Sequence, residues 1–204
     1  SSPAPAPHIV IMPKLSDPID ILLSQMTVEQ KIGQRFMTWI PGTANSARAA
    51  TLVRIAHVGG VIINADNVLS YSQLKSLIGD LQNMTRSTSP TVPLFIATDQ
   101  EGGRMSRIHL PEMTQFPAAF HWAVHNDKEY IEAASYVTDV ELRRLGVTMN
   151  LAPVLDLYDS PDQTVIGDRA FAADPAIVSE LAHAYLRGAE RAGVISVAKH
   201  FPGH

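Results

Sequence analysis

Apolar residues along this chain follow two rhythms. The first is helical. In MTVEQKIGQRFM, Val28, Ile32 and Phe36 fall on one stripe, and Thr27 with Gln30 has capping-box spacing. Residues Ser46 to Ala56 suit a second helix. Tyr71 to Thr85 puts Leu74, Leu77, Ile78 and Leu81 on one face, before Ser87 to Pro90 breaks the pattern. Asp127 to Leu145 is predicted helical and closed by Gly146. Pro175 to Ala192 is predicted helical with Asp174 as N-cap and Gly193 just past its end. The second rhythm is a set of short apolar runs: Phe36 to Ile40, Val61 to Ile63, Pro93 to Asp99, Val147 to Asp156 and Val194 to His200. These runs are continuous, not alternating, which is the mark of parallel strands buried on both faces.

Strands and helices alternate about five times, so the fold class is α/β. A doubly wound open sheet and a TIM (β/α)8-type barrel both fit. The Gly-rich GxGxxG turn of a dinucleotide-binding open sheet is absent. Asn64, Asp66, Asp99, Asp156, Lys199 and His200 all fall at the carboxyl ends of strands or just beyond. In a barrel those ends converge on one mouth. The barrel is therefore the predicted architecture, with about the first five β/α units in these residues. A complete barrel takes about 250 residues, and an unclosed one leaves sheet edges bare.

Composition narrows the function classes. The 204 residues are 46% hydrophobic and 18% charged, enough for a sizeable core. A net charge of −4 lacks the basic footprint of a nucleic-acid binder. No run approaches the roughly 20 apolar residues of a membrane span. With no cysteine, disulfides and thiolate metal sites are excluded within these residues. The opening SSPAPAPHIVIMPK reads as an extended Pro/Ala-rich tether over residues 1–15, ahead of a folded portion over 16–204. It lacks the charged start and long apolar stretch of a signal peptide. A mature exported or lipid-tethered protein and a plain disordered tail both fit; export is the expectation.

Three stretches carry candidate chemistry. TDQEGGRMSRI, Thr98 to Ile108, aims Asp99 into the mouth, and Gly102-Gly103 permits a tight positive-φ turn that folds Arg104 and Arg107 back. A carboxylate beside a guanidinium can hold neighbouring sugar hydroxyls, one accepting and the other donating. The ordinary alternative is an ion pair that pins the loop. VIGDRAF offers Arg169, as a substrate donor or as the partner of Asp168 or Asp156; Asp156 is expected to orient it from behind. In VAKHFPGH, Lys199 and His200 are neighbours, so both face inward only if the strand kinks or bulges, and FPG suits such a bend. Lys199 fits a Schiff-base nucleophile, a hydroxyl donor or a counter-ion for Asp99. There is no HExxH metal pattern, no GxSxG elbow and no P-loop.

Taken in order, MTVEQKIGQRFM, GGVIINADN, ATDQEGGRMSRI, GVTMNLAPVLDL, IGDRAF and AKHFPGH resemble glycoside hydrolase family 3, most closely its bacterial β-N-acetylglucosaminidase branch. The resemblance runs from about Thr27 to His204. It implies a TIM barrel and a pocket for a terminal N-acetylglucosamine (GlcNAc) lined by Asp99, Arg107, Arg169, Lys199 and His200. Lys199 becomes a hydroxyl donor. It also implies a retaining, two-step hydrolysis, in which an aspartate attacks the anomeric carbon and a histidine paired with an aspartate serves as acid/base. In the family that histidine sits in a Gly-Asp-Thr…Asp-Ser-His loop directly after KHFPGH, and the nucleophile lies on a later strand. Neither is expected within these 204 residues, which alone should be inactive. The implied activity is removal of terminal β-linked GlcNAc from peptidoglycan fragments or related oligosaccharides, with no cofactor. A β-glucosidase or xylosidase of the same family, or a non-catalytic sugar-binding protein on the same barrel, are the alternatives.

Overall fold

The computed structural model describes residues 17–124, 126–158 and 165–204. The expected tether over 1–15 lies outside the described residues. The chain begins with helix α1 (Pro18–Gln25), whose Asp17 side chain accepts from the Ile19 N–H with proline in the first turn. Helix α2 (Val28–Gly33) follows, then strand β1 (Met37–Trp39), α3 (Ala47–Arg54), β2 (Gly60–Ile63), α4 (Tyr71–Thr85) and β3 (Phe95–Thr98). A short helix α5 (Ala119–Ala123), α6 (Lys128–Leu145), β4 (Met149–Asn150), α7 (Pro175–Ala192) and β5 (Ile195–Ser196) complete the order.

The strands form one parallel sheet in the order β1-β2-β3-β4-β5. Every strand pairs with its sequence neighbour, so the winding never reverses. That excludes the doubly wound sheet, whose order turns back at a switch point, and matches one side of a (β/α)8 barrel. The sheet is not closed. Its edges leave apolar side chains in solvent: Phe36 and Trp39 beside β1, and Ile195 on β5. The expected stripe of Val28 and Ile32 on α2 and Phe36 just beyond it is exposed as well. The capping box at Thr27 and Gln30 is nonetheless complete.

Between sheet and helices the packing is dense. Leu74, Leu77, Ile78 and Leu81 of α4 meet Val61 and Ile63 of β2 and Ile96 of β3 in one buried cluster. A second cluster joins α6 and α7 through Ile131, Leu181 and Tyr185. There the helices touch backbone to side chain: a Cβ on Gly188 would lie 2.0 Å from Ser135 Oγ and 2.2 Å from Glu132 O.

Two predicted strands are shorter in regular structure than the apolar runs suggest. The run Val147 to Asp156 contributes only Met149–Asn150 to the ladder, because Pro153 has no N–H to donate. Pairing then resumes as a single parallel bridge between Val154 and Lys199. The run Val194 to His200 is likewise regular only over Ile195–Ser196. Helices α1 and α5 lie outside the elements that the sequence predicts.

Candidate active site

Strand parity decides what faces the mouth. Thr98 pairs with Asn150. Asn150 points to the helix side, where it meets Asp139 of α6 and Tyr185 of α7. Asp99, one residue beyond Thr98, therefore faces the opposite way, towards the axis around which the sheet curls. After Asp99 the chain doubles back. Gly102 sits at φ 99°, ψ 162°, a conformation reserved for glycine, and a Cβ there would lie 2.2 Å from Pro117 O. A bridge between Gln100 and Ser106 closes the fold-back, and the Arg107 N–H donates to Asp99 O at 2.9 Å.

All five predicted sugar-binding residues come together. Lys199 Nζ lies 2.6 Å from Asp99 Oδ1, and Arg107 Nε is 3.7 Å from Asp99 Oδ2. Arg107 Nε is buried and has no hydrogen-bond partner among the described residues. Arg169 Nη2 stands 3.4 Å from His200 Nε2. The Lys199–His200 peptide is cis, and both side chains reach the cluster.

The hub of the cluster is Glu101, which was not among the predicted site residues. It grips Arg169 through two parallel bonds, Nε to Oε2 at 2.8 Å and Nη2 to Oε1 at 2.9 Å. Its Oε1 also lies 2.6 Å from Lys199 Nζ. Glu101 is thus the partner of Arg169, in place of the expected Asp168 or Asp156. Asp168 instead pairs with Arg104, whose guanidinium also donates to the carbonyls of Val165 and Ile166 at 3.0 and 3.1 Å. That clip ties the loop after β3 to the loop bearing Arg169.

Asp156 also has a different role from the expected one. Its carboxylate accepts from the His200 ring Nδ1, from the His200 N–H at 3.1 Å and from the His204 N–H at 2.8 Å. Burial pushes the Asp156 carboxyl up; the His200 ring and the two backbone donors more than offset this and hold it below the usual carboxylate range. Arg169 can only donate, so His200 Nε2 is the acceptor and the ring proton sits on Nδ1. Hydrogen bonds to Glu101 raise the Arg169 guanidinium above its ordinary value, against its burial.

Three carboxylates (Asp99, Glu101, Asp156) thus interleave with three cations (Arg107, Arg169, Lys199) and one imidazole. Acceptors and donors alternate over a few ångströms, the pattern that neighbouring hydroxyls of a sugar ring require.

Residues 27–204 match the Glycosyl hydrolase family 3 N terminal domain. The chain belongs to glycosyl hydrolase family 3. The beta-hexosaminidase LpqI of Mycobacterium tuberculosis is 38% identical over 165 residues, covering 81% of this chain and 41% of that protein. The beta-hexosaminidase of Thioalkalivibrio sulfidiphilus is 37% identical over 171 residues, 81% of this chain and 47% of that one. Among solved structures, the family 3 beta-N-acetylglucosaminidase of Paenibacillus sp. str. FPU-7 superposes with a TM-score of 0.84 at 36% identity, over 88% of this chain and 34% of that one. NagZ from Neisseria gonorrhoeae, in complex with N-trifluoroacetyl-D-glucosamine, gives a TM-score of 0.73 at 31% identity over 82% of this chain and 49% of that chain. The chain spans less than half the length of these family 3 relatives. Its five-stranded sheet is therefore the first part of the family's TIM-type barrel.

Proposed function

We propose that the protein carrying this chain is a retaining exo-acting β-N-acetylglucosaminidase. It removes terminal β-linked GlcNAc from peptidoglycan fragments or related oligosaccharides. The observation that carries this reading is the convergence of Asp99, Arg107, Arg169, Lys199 and His200, delivered by segments up to a hundred residues apart, into one patch of alternating donors and acceptors. Kinship supports it: relatives at 36–40% identity are named beta-hexosaminidases, and one structural neighbour, NagZ from Neisseria gonorrhoeae, is in complex with N-trifluoroacetyl-D-glucosamine. In this reading Asp99 accepts from a sugar hydroxyl. Lys199, Arg107 and Arg169 donate to others, and Asp156 fixes the His200 ring.

The deciding experiment gives the full-length protein an aryl N-acetyl-β-glucosaminide and the matching aryl β-glucoside. Faster turnover of the first, with retained anomeric configuration, is expected. Preference for the glucoside would move the protein to the β-glucosidase or xylosidase reading, and no turnover of either, with GlcNAc still bound, to a sugar-binding protein. Residues 1–204 alone are expected to bind GlcNAc without turning over the aryl glycoside. In the full-length protein, Arg169→Ala should weaken GlcNAc binding roughly tenfold, through loss of a charge-assisted donor; unchanged affinity in calorimetry would return Arg169 to a purely structural ion pair. Export rests on the Pro/Ala alternation alone, and cell fractionation tests it.

A further inference from the structure

Behind the mouth lies a polar network that the sugar reading does not use. Asp139, midway along α6, is fully buried. Among the described residues its carboxylate has one hydrogen bond, accepted by Oδ1 from Asn150 Nδ2 at 2.9 Å; Oδ2 is buried with no partner. Burial raises the Asp139 carboxyl to about 7, with the Asn150 bond opposing the rise. A carboxylate in such a place destabilises the fold, since its desolvation is poorly compensated.

What the carboxylate does is orient Asn150. The Asn150 amide clamps the main chain of Gln100 at both ends: Oδ1 accepts from the Gln100 N–H at 3.1 Å, and Nδ2 donates to Gln100 O at 3.3 Å. Gln100 repeats the device one step on, since its own amide exchanges two 3.0 Å bonds with the Ile108 main chain. Gln100 is flanked by Asp99 and Glu101, the two carboxylates that hold Lys199. An amide turned over would present N–H to N–H and C=O to C=O across the Gln100 clamp. An ionised Asp139 can accept but not donate, so it keeps Nδ2 on its own side and Oδ1 on the Gln100 N–H. The Tyr185 hydroxyl of α7, 3.0 Å from Asn150 Nδ2, is the other group at this point. It could serve either orientation, so it does not select one.

We propose that Asp139 is a positioning residue for the sugar-binding cluster: through Asn150 it holds the Gln100 main chain, and with it the Asp99 and Glu101 carboxylates, at the spacing that receives the sugar. The proposal rests on the reading of that cluster as the GlcNAc pocket. The groups facing Asp139 are Asn150 from β4 and Tyr185 from α7; Glu101, in the loop after β3, is a further charge that Tyr185 senses.

The test uses the full-length protein, with Asp139→Ala and Asp139→Asn, and GlcNAc as the probe. In D139A the acceptor is gone, and affinity should fall about five- to tenfold, the worth of one buried hydrogen bond, while resistance to urea at pH 8 holds or rises. In D139N an acceptor remains, and affinity should stay within about twofold. That split between affinity and stability is not produced by a merely structural residue. Wild-type affinity in D139A, or parallel losses of affinity and stability in both variants, overturns the proposal. Should D139A not fold, the side-chain amide signals of Asn150 in 15N NMR decide. They should move with pH around 7 in the wild type and stay fixed in D139N; signals that ignore pH in the wild type overturn it. If the wild type binds no GlcNAc, the sugar reading fails, and the Asn150 signals still judge the link from Asp139.

Discussion

Glu101 shows how a single side chain organises a site without announcing itself in sequence. It is 5% exposed and holds two cations, Arg169 and Lys199. Deleting it would strand Arg169 without a carboxylate in a low-dielectric cluster and leave Lys199 with Asp99 alone. We expect Glu101→Ala to cost about 3–5 kcal/mol of stability, the usual penalty for breaking a buried pair from one side. Urea denaturation of the full-length protein reads this directly, and a loss below about 1 kcal/mol would mean that water replaces the carboxylate. Glu101→Gln keeps an acceptor for Arg169 but surrenders the charge, so it should fall between. Gly102 belongs at the same scale. With φ 99° and a Cβ 2.2 Å from Pro117 O, Gly102→Ala should cost at least about 3 kcal/mol and displace Asp99 and Glu101 together. The Gly102-Gly103 turn was legible in the sequence because the conformation demands glycine. The role of Glu101 was not, because a carboxylate beside Asp99 in DQEGGR carries no mark of which distant cation will meet it.

At the scale of elements, the site depends on how α6 and α7 sit behind β4. These helices cross at Gly188, close enough for Ser135 Oγ to donate to Tyr185 O at 2.9 Å. Gly188→Ala would force them apart, with Ser135 and the Glu132 carbonyl in the way. A destabilisation of about 2–3 kcal/mol is expected from overpacking of this kind, measured as a lowered Tm. The shift should also loosen the Asp139–Asn150–Gln100 chain, so GlcNAc affinity should fall with it. Helix lengths were read well. Tyr71–Thr85 and Pro175–Ala192 match the predicted spans end for end, because caps and periodicity are local. Strands β4 and β5 were overread, because an apolar run records burial and says nothing about whether its N–H groups find a ladder.

For the molecule as a whole, pH acts through Asp139. Its carboxyl is raised in the folded protein from the ordinary 3.8 to about 7. Between these values the folded state holds a proton on Asp139 that the unfolded chain releases, so the contribution of Asp139 to stability falls as pH rises from about 4 to about 7 and is level beyond. The full effect is roughly 4 kcal/mol at most, from about three pK units at 1.36 kcal/mol each. Relative to the wild type, D139N should therefore gain stability at pH 8, and that gain should fade towards pH 4. Urea titrations of both proteins across that range check it; a difference that does not vary with pH would place the Asp139 carboxyl in contact with solvent.

By itself the sequence determined the fold class, the limits of the three long helices and the six ordered motifs that mark family 3. Each of these depends on neighbours a few residues away: hydrophobic period, caps, and turns that require glycine. Polar side chains at strand ends also marked Asp99, Lys199 and His200 against the apolar runs, and the resemblance to family 3 added Arg107 and Arg169 from the loops. Tertiary structure alone decided the pairing: Glu101 with Arg169 and Lys199, Asp156 with His200, Arg104 with Asp168, and Asp139 with Asn150. Charges attract without regard to sequence distance. Which of several carboxylates a given cation meets is set by strand order, register and the parity of each strand, and those exist only once the sheet has formed.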